Sequence, residues 1–356
     1  MVSSNQKNSG YQVSSKGKRV TLAFLAEHLG VSITTISFVI NEAPLAATIA
    51  QSTKDRIWEA VRKFNYQPNM YARYLHSNRM YVIAVLVPHI GDLYSASLLD
   101  GIETFLAQHG YFYFVVSHRE APDLIEKSPE TLMDRAVEGM IFINTPLLRP
   151  VPVPIVAISD LTRGPNVSRI MVDNQVAASL AFSHLRMLGH REIAVLTGPS
   201  ANGDSAKRWE GLRKVAKEAG LQISSDLVVE LGRYGQSNRT AKSDSGYEAA
   251  SRLIASGKRF TALIAFNDVS AIGAVRAFMD SGLRVPEDIS VVGFDDIHEA
   301  SFSVPRLTTV RQPLHEMGVL AAKTLLRRIK NEPQSLEDIL IEPRLIVRES
   351  TRQLNR

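Results

Sequence analysis

VTLAFLAEHLGVSITTISFVIN, residues 20–41, decides the reading of this chain. Leu22, Leu25, Ala26 and Leu29 recur at the three- and four-residue spacing of one helix face. Thr21 is placed to cap that helix, and Gly30 supplies the turn that ends it. Ser32 can cap a second helix, in which Ile36, Val39 and Ile40 face inward. The remaining residues of that helix, Ser32, Ile33, Thr34 and Ser37, stand where a partner can be touched. Phe38 follows where a polar contact residue would be expected. A third helix with Ile57, Trp58, Val61 and Phe64 on its apolar side ends near Asn65.

The charge distribution supports a polyanion partner for this segment. The chain of 356 residues carries a formal +5, but residues 1–79 hold ten Lys/Arg against four Asp/Glu, and the other 277 hold 31 against 32. Excess positive charge confined to one small segment suggests a polyanion partner for that segment. A basic tail is not a sufficient account, because Lys7, Lys16, Lys18 and Arg19 are only four of the ten cations.

Composition is that of a globular protein, 45% hydrophobic and 22% charged, and the length predicts two or three domains. The absence of cysteine excludes a disulfide scaffold and thiolate metal sites, and fits a reducing compartment. The N-terminal residues lack the apolar core of a secretory signal. No run approaches the roughly 20 apolar residues that span a bilayer. The expectation is a cytoplasmic protein with no membrane partner.

After Tyr81 the pattern changes. VIAVLVP (82–88) is a continuous apolar run, as a buried parallel strand requires. A helical stretch over 95–110 follows, then strand-like YFYFVVS, a helix ending near Ala136, GMIFIN and PIVAIS. The alternation restarts with a helix over 174–188, IAVLTG, a helix over 206–219, LVVEL, a helix over 244–256, ALIAF, a helix over 269–281 and ISVVGF. A last helix covers 313–330. Such alternation predicts two doubly wound α/β lobes with a cleft at the carboxyl ends of their strands. Residues 232–245 form a polar loop at the expected rim.

Enzyme motifs are missing. There is no G-x-G-x-x-G, P-loop, G-x-S-x-G or H-E-x-x-H. His184 and His190, six residues apart, read as capping and surface histidines and not as metal ligands. The carboxylates of GFDD (293–296) suit a polyol as well as catalysis, and nothing supplies a nucleophile or metal. The chain is therefore expected not to be an enzyme and to need no cofactor.

From Val20 to about Arg348 the chain resembles the lactose/galactose repressor (LacI/GalR) family of bacterial transcription regulators. The resemblance is carried in order by VTLAFLAEHLGVSITTISFVIN, FNYQPNMYARYL, HLRMLGHREIAVLTG, TALIAFNDVSAIGAVRAFMDSGLRVPEDISVVGFDD and PRLTTVRQP. It implies an α/β protein with a three-helix helix-turn-helix head, a hinge helix, and two lobes as in periplasmic sugar-binding proteins. The implied domains are a flexible arm (1–19), the DNA-binding head (20–67) and the hinge (68–80). They continue with an N-terminal core lobe (81–172 and 311–337) and a C-terminal lobe with the effector cleft (173–310 and 338–352).

The resemblance also implies the partners: an operator duplex, a second copy of the chain and a small-molecule effector of carbohydrate type. The matching DNA-contacting residues are Thr21, Ser32, Ile33, Thr34, Ser37, Phe38 and Asn41 in the head. In the hinge they are Asn69, Ala72 and Leu75, the last as a minor-groove wedge. On the residues alone, Leu75 reads equally well as packing. Phe38 is either an apolar contact to DNA or packing beneath the helix. The effector-contacting residues implied are Tyr94 on the first strand–helix loop, Ser159, Arg208, Asn267 and Asp295. Their plainer readings are rim packing for Tyr94, a surface arginine for Arg208, and turn caps for Asn267 and Asp295. Ser159 lies where some members carry a sugar-binding aspartate, and Trp209 reads as core. The segment EAPLAATIAQST (42–53) holds three residues more than the usual connection.

Overall fold

The computed structural model describes residues 20–41, 43–66, 79–199, 203–232, 242–332 and 336–354. Two compact units divide at Met80/Tyr81. Among the described residues no single helix is long and apolar enough to cross a membrane.

In the first unit, α1 (Leu22–Leu29) and α2 (Ile33–Ile40) meet at a bend of 112°, within the range of a helix-turn-helix. The local chemistry dictates both ends. Thr21 Oγ1 accepts from Phe24 N (3.2 Å), Gly30 turns left-handed at φ 66°, and Ser32 Oγ accepts from Thr35 N (3.0 Å). A side chain with a Cβ would be strained at Gly30, so this glycine is what makes the tight turn possible. Helix α3 (Gln51–Lys63) closes the bundle. Leu25, Ala26, Ile36, Val39, Ile57, Ala60 and Tyr66 form its core. Arg56 donates to Leu29 O (2.9 Å), pairing a carbonyl that the end of α1 leaves open. The longer connection between α2 and α3 is a 3-10 helix, Pro44–Thr48, none of whose residues is buried.

The second unit contains two six-stranded sheets. We number the strands β1 (Val82–Val87), β2 (Phe112–Ser117), β3 (Gly139–Ile143), β4 (Ile155–Ile158), β5 (Val167–Val172), β6 (Ile193–Thr197), β7 (Val228–Glu230), β8 (Ala262–Ile264), β9 (Ser290–Asp295), β10 (Thr308–Arg311), β11 (Asp338–Ile341) and β12 (Arg344–Ile346). The N-terminal sheet runs β11-β5-β4-β3-β1-β2 and is parallel throughout. The C-terminal sheet runs β12-β10-β9-β8-β6-β7, antiparallel only at β10–β12. Strands β1, β3, β4 and β9 are buried along their whole length, as their continuous apolar runs require.

The helices are α4 (Leu93–Gln108), α5 (Pro122–Met133), α6 (Asn174–Met187), α7 (Gly203–Glu218), α8 (Lys242–Ala255), α9 (Asp268–Asp280) and α10 (Leu314–Ile329). Helix α10 lies against α4 at two glycines. A Cβ on Gly101 would stand 2.0 Å from His315 O, and one on Gly318 2.2 Å from Leu98 O. The backbones meet where no side chain fits.

Three segments pass between the lobes: β5 to α6, β10 to α10, and β11 to β12. The last of these corrects the expected boundary. Residues 338–341 were assigned to the C-terminal lobe, but β11 pairs with β5 (Asp338 opposite Arg169) and belongs to the N-terminal sheet. Arg311, expected in the N-terminal lobe, ends β10 in the C-terminal one. The two histidines are also corrected. His184 and His190 are buried, the first bonded to Thr351 Oγ1 (3.0 Å), the second to Thr261 Oγ1 (2.9 Å) and Arg352 O (3.2 Å). They tie the end of the chain to the C-terminal lobe. Burial pushes both imidazole pKa values down.

Candidate functional site

Two surfaces merit description, one in each unit. In the head, the helical period of α2 sends Ile36 and Val39 into the core and Ser32, Ile33 and Thr34 to solvent, Ile33 being 50% exposed. Ser37 and Phe38 are half-buried on the flank. Phe38 is not among the residues packed into the head core, whereas Ile40 on the same helix is. Asn41 Nδ2 donates to Ser37 Oγ (3.2 Å), holding both at the end of the helix. Thr21 is spent on its cap. The hinge positions Asn69, Ala72 and Leu75 lie outside the described residues, as do 233–241 of the rim loop.

In the second unit the carboxyl ends of both sheets face a cleft, and the structure brings Tyr94, Arg208 and Asp295 together there. Arg208, on α7, is 5% exposed. Its Nε and Nη2 donate to Asn174 Oδ1 (3.2 and 3.0 Å), and its Nη1 donates to Phe266 O. Its guanidinium lies over the Phe294 ring (4.2 Å) and the Phe266 ring (5.2 Å). Burial lowers its pKa, opposed by the nearby charges of Asp295 and Asp204. It is a fixed buried cation, not a surface arginine.

Asp295 ends β9 with φ 109°, a strained backbone for a residue other than glycine. Its Oδ1 accepts from Gln312 Nε2 (2.6 Å), which comes from the crossing between β10 and α10. The neighbouring Asp296 is committed elsewhere, to Arg348 and Arg311 at 2.5 Å each. The GFDD carboxylates thus divide into one for the cleft and one for the framework.

Tyr94 comes from the opposite lobe. It sits in the first turn of α4, not on the preceding loop. Burial raises its pKa well above the usual range, and Asp204 and Asp295 raise it further. Tyr94 is partly buried by area, its ring closely surrounded by protein.

Asn267 forms the capping box of α9: its Oδ1 accepts from Ser270 N (2.9 Å) and Ser270 Oγ accepts from its N–H (3.2 Å). Only its amide NH2 is left to meet anything else. Beside it, Asp268 is fully buried, accepting from Ile297 N (3.0 Å) and Thr309 Oγ1 (2.5 Å). Burial, then Asp295, drives its pKa up. A Cβ on Gly293 would lie 2.2 Å from Asp268 Oδ1, so the glycine of GFDD makes room for this carboxyl.

Ser159 is buried, its Oγ accepting from Leu161 N (3.3 Å). A carboxylate does occur one residue later. Asp160 accepts from Lys207 of the other lobe (2.5 Å), Arg169 (2.7 Å) and Arg163 (3.1 Å). Burial alone would raise its pKa, but Lys207 and the two arginines outweigh it and hold the carboxyl low. Trp209 packs on the C-terminal core, as expected. Sequence reasoning missed Asn174, Asp204 and Gln312. A signal existed for Asp204: it precedes Arg208 by four residues, one helical turn. Among the described residues no group of three or more His, Asp or Glu is placed to hold a metal.

Comparison with known proteins finds matches to both units. Residues 21–69 match bacterial regulatory proteins of the lacI family, and residues 182–351 match the periplasmic binding protein-like domain. The HTH-type transcriptional repressor PurR of Haemophilus influenzae is 32% identical over 346 residues, covering 94% of this chain and 99% of that protein. PurR of Vibrio cholerae is 30% identical over 344 residues, covering 94% and 99%. Among solved structures, the lac repressor dimer bound to operator and the anti-inducer ONPF has a TM-score of 0.83 at 26% identity, covering 94% of this chain and all of that one. The transcriptional regulator CelR–cellobiose complex has 0.68 at 27%, covering 93% and 100%. Head, two-lobed core and relatives similar over nearly their full length agree: the chain belongs to the LacI family of bacterial regulatory proteins.

Proposed function

We propose that the chain is a cytoplasmic DNA-binding transcriptional repressor. It acts as a homodimer on a pseudo-palindromic operator, under control of a sugar or sugar derivative held between the core lobes. The observation that carries this reading is the division of α2. Its apolar residues Ile36 and Val39 build the head, while Ser32, Ile33 and Thr34 face outward. Such a helix fits the major groove, where hydroxyls read bases loosely and apolar groups meet thymine methyls. Phe38, lying outside the head core, contributes an apolar contact to a thymine methyl or a sugar edge. Asn69, Ala72 and Leu75 serve the minor groove, Leu75 as the wedge.

The effector contacts are Arg208, Asp295 and the Asn267 amide from one lobe, and Tyr94 and Ser159 from the other. A ligand that touches both lobes favours one inter-lobe arrangement over others, and operator affinity follows that population. The role is binding, with no reaction and no cofactor.

Selection of duplexes from a random pool by the full chain tests the reading. Two inverted half-sites with A·T-rich positions beneath Phe38 are expected. Recovery of asymmetric sites, or of none, would count against a dimeric repressor.

A further inference from the structure

A pocket of about 320 Å³ opens on the C-terminal lobe, at the end of the sheet opposite the cleft. It lies at the amino ends of three neighbouring strands, β7, β6 and β8. Arg191 and Glu192 precede β6, residues 221–227 precede β7, and Lys258 and Arg259 precede β8. Its floor is the underside of the lobe's own core. Phe182 and Ile193 belong to that core, and Leu221 and Ile223 pack against it. A concave apolar floor of this volume, with a few polar groups at its edge, is the form of a small-molecule site.

Charge at the rim selects the ligand. Three cations and two carboxylates line the pocket. Lys258 Nζ pairs with Asp226 (3.0 Å), and Arg259 Nε with Glu192 (3.4 Å). Arg191 is left over: among the described residues its guanidinium meets no acceptor. The Gln222 amide and the Ser224 hydroxyl, in the same lining, are likewise unengaged among the described residues. One uncommitted guanidinium suits one carboxylate, which it can bind through two parallel N–H groups. A second negative charge on the ligand would face Asp226 and Glu192. Gln222 and Ser224 can add donors to the carboxylate oxygens, and the floor gains from covering by an apolar body.

We infer that this pocket is a second ligand site, separate from the cleft, for a small monocarboxylate with an apolar body. The carboxylate is held by Arg191 and the body lies on Phe182, Leu221 and Ile223. Every lining residue comes from the C-terminal lobe. A ligand there bridges nothing between the lobes, so it binds whichever way they are disposed. The inference is independent of the repressor reading and of what occupies the cleft.

The test titrates phenylacetate into the full chain at constant ionic strength and follows the ligand's NMR relaxation. Binding at low-millimolar concentration is expected. Phenylacetamide, which lacks the charge, and acetate, which lacks the apolar body, should each bind about tenfold more weakly. Arg191→Gln removes an exposed cation and should weaken phenylacetate about tenfold or more. Ser224→Trp, also at an exposed position, fills the pocket by bulk and should abolish the same binding. These two variants separate the pocket from the basic head and from the cleft, which they leave untouched. Equal binding by the wild type and both variants would overturn the proposal. So would equal binding of phenylacetate and phenylacetamide, or no binding of phenylacetate by the wild type.

Discussion

The exposed face of α2 and the cleft around Arg208 are built on opposite principles. Ser32, Ile33 and Thr34 are exposed and adjacent in sequence, and beyond the cap that Ser32 gives α2 they do little in the fold. Arg208, Asp295 and Asn174 are buried, distant in sequence and bonded to one another or to the crossing segment. An exposed face can change with its partner at little cost to stability. A desolvated charged cleft cannot, because each group depends on the next.

The sharpest way to break that contrast is Arg208→Met. It leaves Asp204, Asp295 and Asn174 without their cation, and should cost about 4 kcal/mol of core stability in urea unfolding. Thr34→Ala should lie within about 0.5 kcal/mol of wild type while weakening operator binding. Equal costs would erase the distinction.

A second comparison lies within α2. Ile36→Ala empties a fully buried site and should cost the head about 3 kcal/mol. Phe38→Ala should cost under about 1 kcal/mol and act mainly on base preference. A large stability loss at Phe38 would make it a packing residue. Phe38→Arg should move selected sites toward guanine.

Acid separates the units differently. His118 is buried in the N-terminal lobe and bonded to Thr145 Oγ1 (3.0 Å). Burial, then His89, pushes its pKa from 6.5 down to about 4. Between these values the unfolded chain binds more protons than the folded one, so stability falls as pH drops from 6.5 to 4. The loss should be about 2 kcal/mol across that window, and His118→Gln should flatten it. An unchanged pH profile in the variant would remove His118 from the account. Thr21→Ala should cost the head about 1 kcal/mol through loss of the α1 cap.

The same contrast explains what the sequence made legible. The head was readable because its caps, its turn glycine and its apolar period all lie within 22 consecutive residues. Strands β1, β3 and β9 were readable from continuous apolar runs. Strands β5, β10, β11 and β12 were not read as strands. VSRIMV carries Ser and Arg, whose places are settled by Arg328 and Asp338 far along the chain and by Asp160 nine residues before Arg169. The three residues of β12 become a strand only by pairing with β10. In the cleft, Arg208 and Asp295 stood out in motifs. Asn174 and Gln312 did not, since their parts depend on which crossing segment passes beneath the site.

The central claim is that the first 79 residues are the DNA reader and the rest is not. Duplex affinity measured against salt, for the full chain and for residues 80–356, tests it most directly. The full chain should bind, with log affinity falling steeply and linearly with log salt, and residues 80–356 should not bind. Equal binding by both, or by neither, would contradict the account.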